Sequence, residues 1–270
     1  MARKWFVPVA ALAVVVGSAT AVTTAALASP RLAPAAATGV ISPGHPMLTP
    51  PGVARPGVRG IRNSSQVTST NWSGFAVSGG DGAYHSVSAS WIEPTVKCTT
   101  GNRYSAFWVG LDGFSSQSVE QAGTAADCAG KTAKYSGWYE MFPAAPVYFR
   151  TKVRPGDHLS ASVTFSGTDT YRLVLKDSTR GWSHTITRSE AGLDRSSAEV
   201  ITEAPSTASG VLRLADFGTV NFTAAKANGK NMVKLNRTKI VMVDSSGLAK
   251  DSTSPVNSTG AFHNTWIRSS

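Results

Sequence analysis

Four short stretches of this chain carry side chains able to do acid–base or hydrogen-bonding chemistry. The first is Ser118-Val119-Glu120-Gln121-Ala122, an acid beside an amide in an alternating run. Alternation predicts Val119 and Gln121 on one face of a strand and Glu120 on the other. An amide on an apolar face is costly without partners. Gln121 therefore reads either as a satisfied structural amide or as one kept to hydrogen-bond a substrate. The second stretch, Trp138-Tyr139-Glu140-Met141-Phe142-Pro143, puts Trp138, Glu140 and Phe142 on one face. The third, Ala198 to Pro205, puts Glu199, Ile201 and Glu203 on one face with Val200 opposite. Burial raises a carboxyl pKa, which suits such an acid to exchange protons; a solvated face is the plainer reading of each Glu alone. The fourth, Trp108-Val109-Gly110-Leu111-Asp112-Gly113, reads as a strand with Val109 and Leu111 on one side, closed by an Asp-Gly turn.

Other chemistries lack their residues. There is no His-Glu-x-x-His, no Gly-x-Ser-x-Gly and no phosphate-cradling Gly loop with Lys. The five histidines are scattered. A Ser-His-Asp triad can be assembled from distant residues, but nothing singles one out. No metal and no cofactor are expected.

The elements that must position these side chains are strands. Ser, Thr, Val and Gly are abundant, while Leu and Glu are sparse. Val87, Ala89 and Trp91 alternate with serines before Pro94. Residues 158–165 place Leu159, Ala161, Val163 and Phe165 on one face; Tyr171, Leu173, Leu175 and then Trp182, His184, Ile186 repeat the pattern. Further strands are expected at 211–217, 219–224, 238–243 and 261–267. No amphipathic pattern exceeds two helical turns. Many short strands with Gly-rich turns predict an all-β sandwich or closed sheet.

Met1 to Ala28 has the layout of a secretory signal: Arg3 and Lys4, an apolar centre from Phe6 to Val16, and Ala26-Leu27-Ala28. The chain is therefore expected to be secreted, without stable membrane association once the signal is cleaved. Residues 29–66 are rich in Pro, Gly, Ala and Arg with no apolar periodicity, a linker or basic pro-segment. Residues 67–270 form the expected domain, acting as a monomer. The formal charge is +10, but Arg3, Lys4, Arg31, Arg55, Arg59 and Arg62 precede residue 67 with no acid among them. The remainder is +4, so nucleic acid is not expected as a partner. In an exported chain the two cysteines, Cys98 and Cys128, are expected to pair. That bridge is worth roughly 3–4 kcal/mol on the chain-entropy model.

Taken together, Trp108-Val-Gly-Leu-Asp112-Gly, Glu120-Gln121-Ala-Gly123, Trp138-Tyr139-Glu140-x-x-Pro143 and Ala198-Glu199-x-Ile201-x-Glu203-x-Pro205 resemble the signature blocks of the glutamic peptidases, or eqolisins. Asn71-Trp72-Ser73-Gly74 and Ala215-Asp216-Phe217-Gly218 are also similar. The resemblance implies a sandwich of two bent antiparallel sheets, jelly-roll or concanavalin-like, with the active site on a concave face. It implies that Gln121 and Glu203 form a catalytic dyad acting on polypeptide substrates. Trp108, Asp112, Trp138 and Glu140 match cleft or supporting positions, and Glu199 matches a second acid. Val200 stands where the family commonly has an aromatic. The competing reading is a secreted carbohydrate-active or carbohydrate-binding sandwich, with Glu140 and Glu203 flanking a sugar.

Overall fold

A computed structural model describes residues 64–270. The expected signal at 1–28 and nearly all of the expected 29–66 segment lie outside them. The first strand begins at Ser64, slightly before the expected domain start. The strands are β1 (Ser64–Ser69), β2 (Trp72–Ser78), β3 (Ser86–Ile92), β4 (Ala106–Leu111), β5 (Val119–Ala129) and β6 (Thr132–Phe142). There follow β7 (Val147–Tyr148), β8 (His158–Phe165), β9 (Thr170–Asp177), β10 (Trp182–Ser189), β11 (Ser197–Glu203) and β12 (Ser206–Thr207). The last are β13 (Gly210–Val211), β14 (Thr219–Ala227), β15 (Lys230–Asn231), β16 (Arg237–Met242), β17 (Asp251–Thr253) and β18 (Phe262–Trp266). A short 3-10 turn, Met232–Lys234, is the helical element among the described residues.

Two large sheets form the sandwich. The first runs β1-β16-β2-β11-β4-β5-β6-β7 and the second β10-β9-β8-β3-β14-β18-β17. Pairing is antiparallel except at one edge, where β1 lies parallel to β16. The main core joins both sheets: Phe75, Val109, Leu111, Ala122 and Val200 from the first meet Val87, Trp91, Leu159, Leu173 and Phe222 from the second. A smaller cluster, Trp72, Trp108, Val119, Trp138, Ile201 and Ile240, comes from the first sheet alone. Period-2 alternation on β2, β4, β5, β6 and β11 sends odd and even positions to these two clusters. The outer face of the first sheet is thus aromatic, and it carries the candidate chemistry.

The segment expected as a strand at 211–217 is one only at its start. Beyond it, single bridges pair Leu214 with Tyr104 and Asp216 with Lys97. Leu214, Ala215 and Phe217 are buried in the main core without forming a ladder, Phe217 edge-on to Phe107 of β4 with centroids 5.4 Å apart, so sequence shows the burial without the pairing. β17 was not expected. Its inward residues, Asp251 and Thr253, are polar, and the apolar alternation that marks a strand is missing.

Cys98 and Cys128 form a disulfide with Cα atoms 5.4 Å apart. It ties the end of β5 to the segment entering β4, closing a loop of sequence separation 30 around the Trp108 stretch.

Candidate active site

Register fixes the rows of side chains on the outer face. Glu199 pairs with Gly110, Gly110 with Gln121, and Gln121 with Glu140. The next row holds Ile201, Trp108, Gly123, Trp138 and Tyr148. The row after that holds Trp72, Glu203, Ala106, Ala125 and Ser136. Gln121 and Glu203 therefore share one sheet face, two strands apart and offset along the strand, with Trp108 on the strand between. Gly123 is forced by this arrangement: a Cβ there would come 2.5 Å from Trp108 Cβ and also strike the Phe107 carbonyl.

Each polar side chain is held by a specific donor or acceptor. Gln121 Nε2 donates to Glu140 Oε2 at 2.6 Å. Trp108 Nε1 donates to Glu203 Oε2 at 2.8 Å, and Asn71 Nδ2 to Glu203 Oε1 at 3.4 Å. Both oxygens of Glu203 thus accept from N–H donors, which fixes the plane of the carboxyl. Asn71 is itself fixed by Ser69 Oγ, which donates to Asn71 Oδ1 at 3.0 Å. Trp72 meets Trp108 edge to face, centroids 4.8 Å apart, an arrangement worth about 0.5–1.5 kcal/mol beyond burial. The Glu140 and Glu203 side chains are buried, unlike the solvated face that a single Glu suggests by default.

Asp112 supports the site from its edge. It sits at φ 68 in the turn after β4. Its Oδ2 accepts from the Arg195 backbone N–H at 2.6 Å, and its Oδ1 from Ser196 N at 2.8 Å and Ser196 Oγ at 3.2 Å. It therefore fixes the chain entering β11, which carries Glu199 and Glu203. Beside it lie two buried carboxyls. Burial pushes Glu120 up to about 9, helped by the charge of Asp112. Burial also raises Glu199 well above the usual range; a Ser197 hydrogen bond opposes this, while Asp112 and Glu120 add to it. Glu199 thus belongs to the Asp112 and Glu120 group rather than to the partners of Glu203.

Behind β2, Ser73 Oγ donates to Asp251 Oδ2, and Asn264 Nδ2 donates to Ser73 Oγ at 2.8 Å. This buried network links the two sheets next to Trp72. Sequence reasoning singled out none of Asn71, Asp251 or Tyr148 as a site residue. Asn71 and Glu203 are 132 residues apart, and only the folded register joins them. Among the described residues no group of three His, Cys, Asp or Glu is placed to hold a metal ion. A depression of about 430 Å³ lies on the second sheet, lined by Ser90, His158, Lys176, Asn221 and Thr223 among others. No carboxylate lines it.

Known proteins match this chain in sequence and in fold. The profile of the Peptidase A4 family matches residues 70–262. Aspergillopepsin-2 of Aspergillus niger is 28% identical over 183 residues, 59% of this chain. The match spans 64% of that relative's length, just under two thirds. Scytalido-glutamic peptidase, solved with a transition state analog inhibitor, superposes with a TM-score of 0.64 at 22% identity, covering 73% of this chain and 98% of that one. Aspergilloglutamic peptidase from Aspergillus niger superposes with a TM-score of 0.54 at 24% identity, covering 61% of this chain and 99% of that one. At these identities the structural likeness speaks to the fold, a sandwich of the eqolisin kind.

Proposed function

The chain belongs to the Peptidase A4 family, the glutamic peptidases, and we propose that it is a secreted acid endopeptidase whose Gln121 and Glu203 cleave peptide bonds. The observation that carries the reading is the shared face: an amide anchored by Glu140 at 2.6 Å and a carboxyl anchored by Trp108 at 2.8 Å, with neither side chain turned into the main core.

Glu203 takes a proton from water as the water oxygen bonds to the substrate carbonyl carbon. The carbonyl π pair moves to oxygen. The Gln121 amide donates to that oxyanion, a contribution of roughly 3–4 kcal/mol by analogy with other single donors. Glu203 then returns its proton to the amide nitrogen as the C–N bond breaks, leaving an acid and an amine. Asn71 and Trp108 keep the carboxyl aimed, and Glu140 keeps the amide aimed. The disulfide supports an oxidising destination, in keeping with the signal layout at 1–28, and removal of the expected pro-segment ahead of β1 would complete maturation.

The test is hydrolysis of an unfolded protein at acid pH by purified Gln121→Ala and Glu203→Gln. Each should lose activity by about a hundredfold or more while remaining folded at the assay temperature. Turnover near the wild-type rate in either variant overturns the dyad.

A further inference from the structure

The outer face of the second sheet takes no part in the chemistry proposed above. Cross-strand register sets Thr223, Ser90, Ser160 and Lys176 in one row on it, across β14, β3, β8 and β9. The row before begins with His158 opposite Ile92 and ends with Asn221 opposite His263. The row after runs from Lys226 through Ser88 and Ser162 to Val174. Three depressions lie along these rows, of about 370, 430 and 260 Å³. The first two share Asn221 and Thr223, and the last two share Ser90, Ser160 and Lys176, so they form one trough. It crosses five strands, from β9 to β18, or roughly 20 Å at the usual strand spacing.

The trough is cationic along its length. No Asp or Glu lines any of the three depressions, and among the described residues Lys176 and Lys226 make no ion pair. Asp169 and Glu190 lie in the turns beyond the strand ends, where Glu190 N donates to Asp169 O at 2.9 Å. Lys226 owes its place to a β-bulge. Strict alternation from Thr223 would send residue 226 into the core. Instead the register shifts between Thr223 and Lys226, with Ala224 at φ 52, so that Ala225 and Ala227 are buried and Lys226 is exposed. Bulges re-aim side chains in this way. Between the cations stand hydroxyls and one amide, groups that both donate and accept. The outward positions of these strands hold no aromatic ring; Ile92, 46% exposed, supplies apolar surface.

We propose that this trough is a docking surface for a carboxylated polysaccharide, tethering the protein to an acidic carbohydrate matrix by the side of the sandwich opposite Gln121 and Glu203. Charge complementarity selects a polyanion, since the trough offers cations and no anion. The hydroxyl rows select a polymer that carries hydroxyls as well as carboxylates, because such rows supply acceptors that a carboxylate alone does not need. An acidic polypeptide fits less well. β3, β8 and β14 are interior strands with a neighbour on each side, so the trough has no free main-chain edge for a peptide to extend. Its central depression is lined mostly by hydroxyl, amide and cationic side chains rather than by apolar sockets for peptide side chains. The main core separates the trough from the first sheet's outer face, so a bound polymer leaves Gln121 and Glu203 free.

Binding tests this without any turnover, so the outcome is independent of the dyad. Affinity of the purified full chain for polygalacturonate is measured by calorimetry at about pH 6 and low salt, with the methyl-esterified polymer and polyglutamate alongside. The chain should bind polygalacturonate, bind it less tightly as salt is raised, and bind the ester weakly. Lys176→Gln together with Lys226→Gln should weaken binding about tenfold, on the scale of two exposed charge contacts. Asn221→Asp, which puts an acid in the trough at nearly the same shape, should weaken it as well. Lys131→Gln together with Lys134→Gln removes two exposed cations from the β5–β6 hairpin instead and should change it by no more than about twofold. Every substituted residue is exposed, and melting curves check that the fold is kept. Failure of the wild-type chain to bind polygalacturonate overturns the proposal, as does equal binding of the ester. An equal loss from the two lysine pairs overturns it too, because binding would then follow net charge. Polyglutamate bound as tightly, with the same dependence on Lys176 and Lys226, would make the face a site for acidic proteins and overturn the polysaccharide assignment.

Discussion

The side-chain amide of Gln121 donates to Glu140 Oε2 at 2.6 Å, directly across the β5–β6 ladder. An amide side chain has two chemically different ends, and what lies opposite decides which end faces a substrate. A carboxylate accepts only, so it fixes the NH₂ end toward itself and defines the plane of the group. Glu140→Gln removes that preference while conserving shape. We expect kcat to fall about 10–100-fold, on the scale of losing an orienting partner, with little change in KM or in melting temperature. Steady-state kinetics at acid pH check it; an unchanged kcat would show that Gln121 is oriented by something else.

Trp108 plays the matching part for Glu203. Its N–H at 2.8 Å stabilises the charged form of the carboxyl. Trp108→Phe keeps an aromatic ring in contact with Trp72 and removes the donor. The acid limb of the pH–activity profile should then move to higher pH, because a carboxyl deprived of a donor to its charged form holds its proton longer. The expected displacement is about one pH unit, equivalent to a hydrogen bond to a charged group of roughly 1.4 kcal/mol. A profile that keeps its position while losing height would assign Trp108 a packing role alone.

How much of this was legible before the fold is uneven, and the reason is range. Alternation alone assigns Gln121, Trp138, Glu140, Glu199 and Glu203 to their faces, because a strand's side-chain period is fixed by covalent geometry. It says nothing of which strands are neighbours. The bond from Asn71 to Glu203, the Asp112 contacts at 195 and 196, and the Ser73–Asp251–Asn264 network all join residues from strands or turns far apart in sequence. Tyr148 was invisible for a different reason: a two-residue strand is too short to show a period. Asp251 was hidden because its strand buries polar groups, the reverse of the pattern that marks a sheet.

The buried carboxyls make stability depend on pH in a stated direction. Burial raises Glu93 to about 8, Glu120 to about 9, Asp127 to about 7 and Asp251 to about 7. A folded pKa above the unfolded one means that the native state binds more protons between the two. The contribution of each group is therefore fully present below about pH 4 and is lost as pH rises through 7 to 9. The domain should melt highest in acid and progressively lower from about pH 4 upward. Glu120→Gln stays neutral throughout, so it should flatten that slope and melt several degrees above wild type at pH 8, at about 2–4 °C per kcal/mol for a domain of this size. Scanning calorimetry across pH 3–9 checks both; a wild-type melting temperature that rises from pH 4 to pH 8 has the wrong sign for these groups.

Gly123 tests whether the site depends on the close approach of β4 to β5. A methyl group there would meet backbone of Phe107 and sit 2.5 Å from Trp108 Cβ, and neither can swing aside as a flexible side-chain tip would. Gly123→Ala must push β4 away from β5, and with it the indole that holds Glu203. Overpacking of this kind costs about 1–3 kcal/mol, or roughly 2–12 °C in melting temperature. Gly80→Ala is the control, since a methyl there meets nothing within 4 Å and the residue's φ is not in the left-handed region. Activity should fall in the Gly123 variant well beyond the fraction unfolded at the assay temperature, and stay at wild-type level in the Gly80 variant. If the Gly123 variant is destabilised but keeps full activity per folded molecule, the Trp108–Glu203 bond survives a displaced strand, and the close packing serves stability alone.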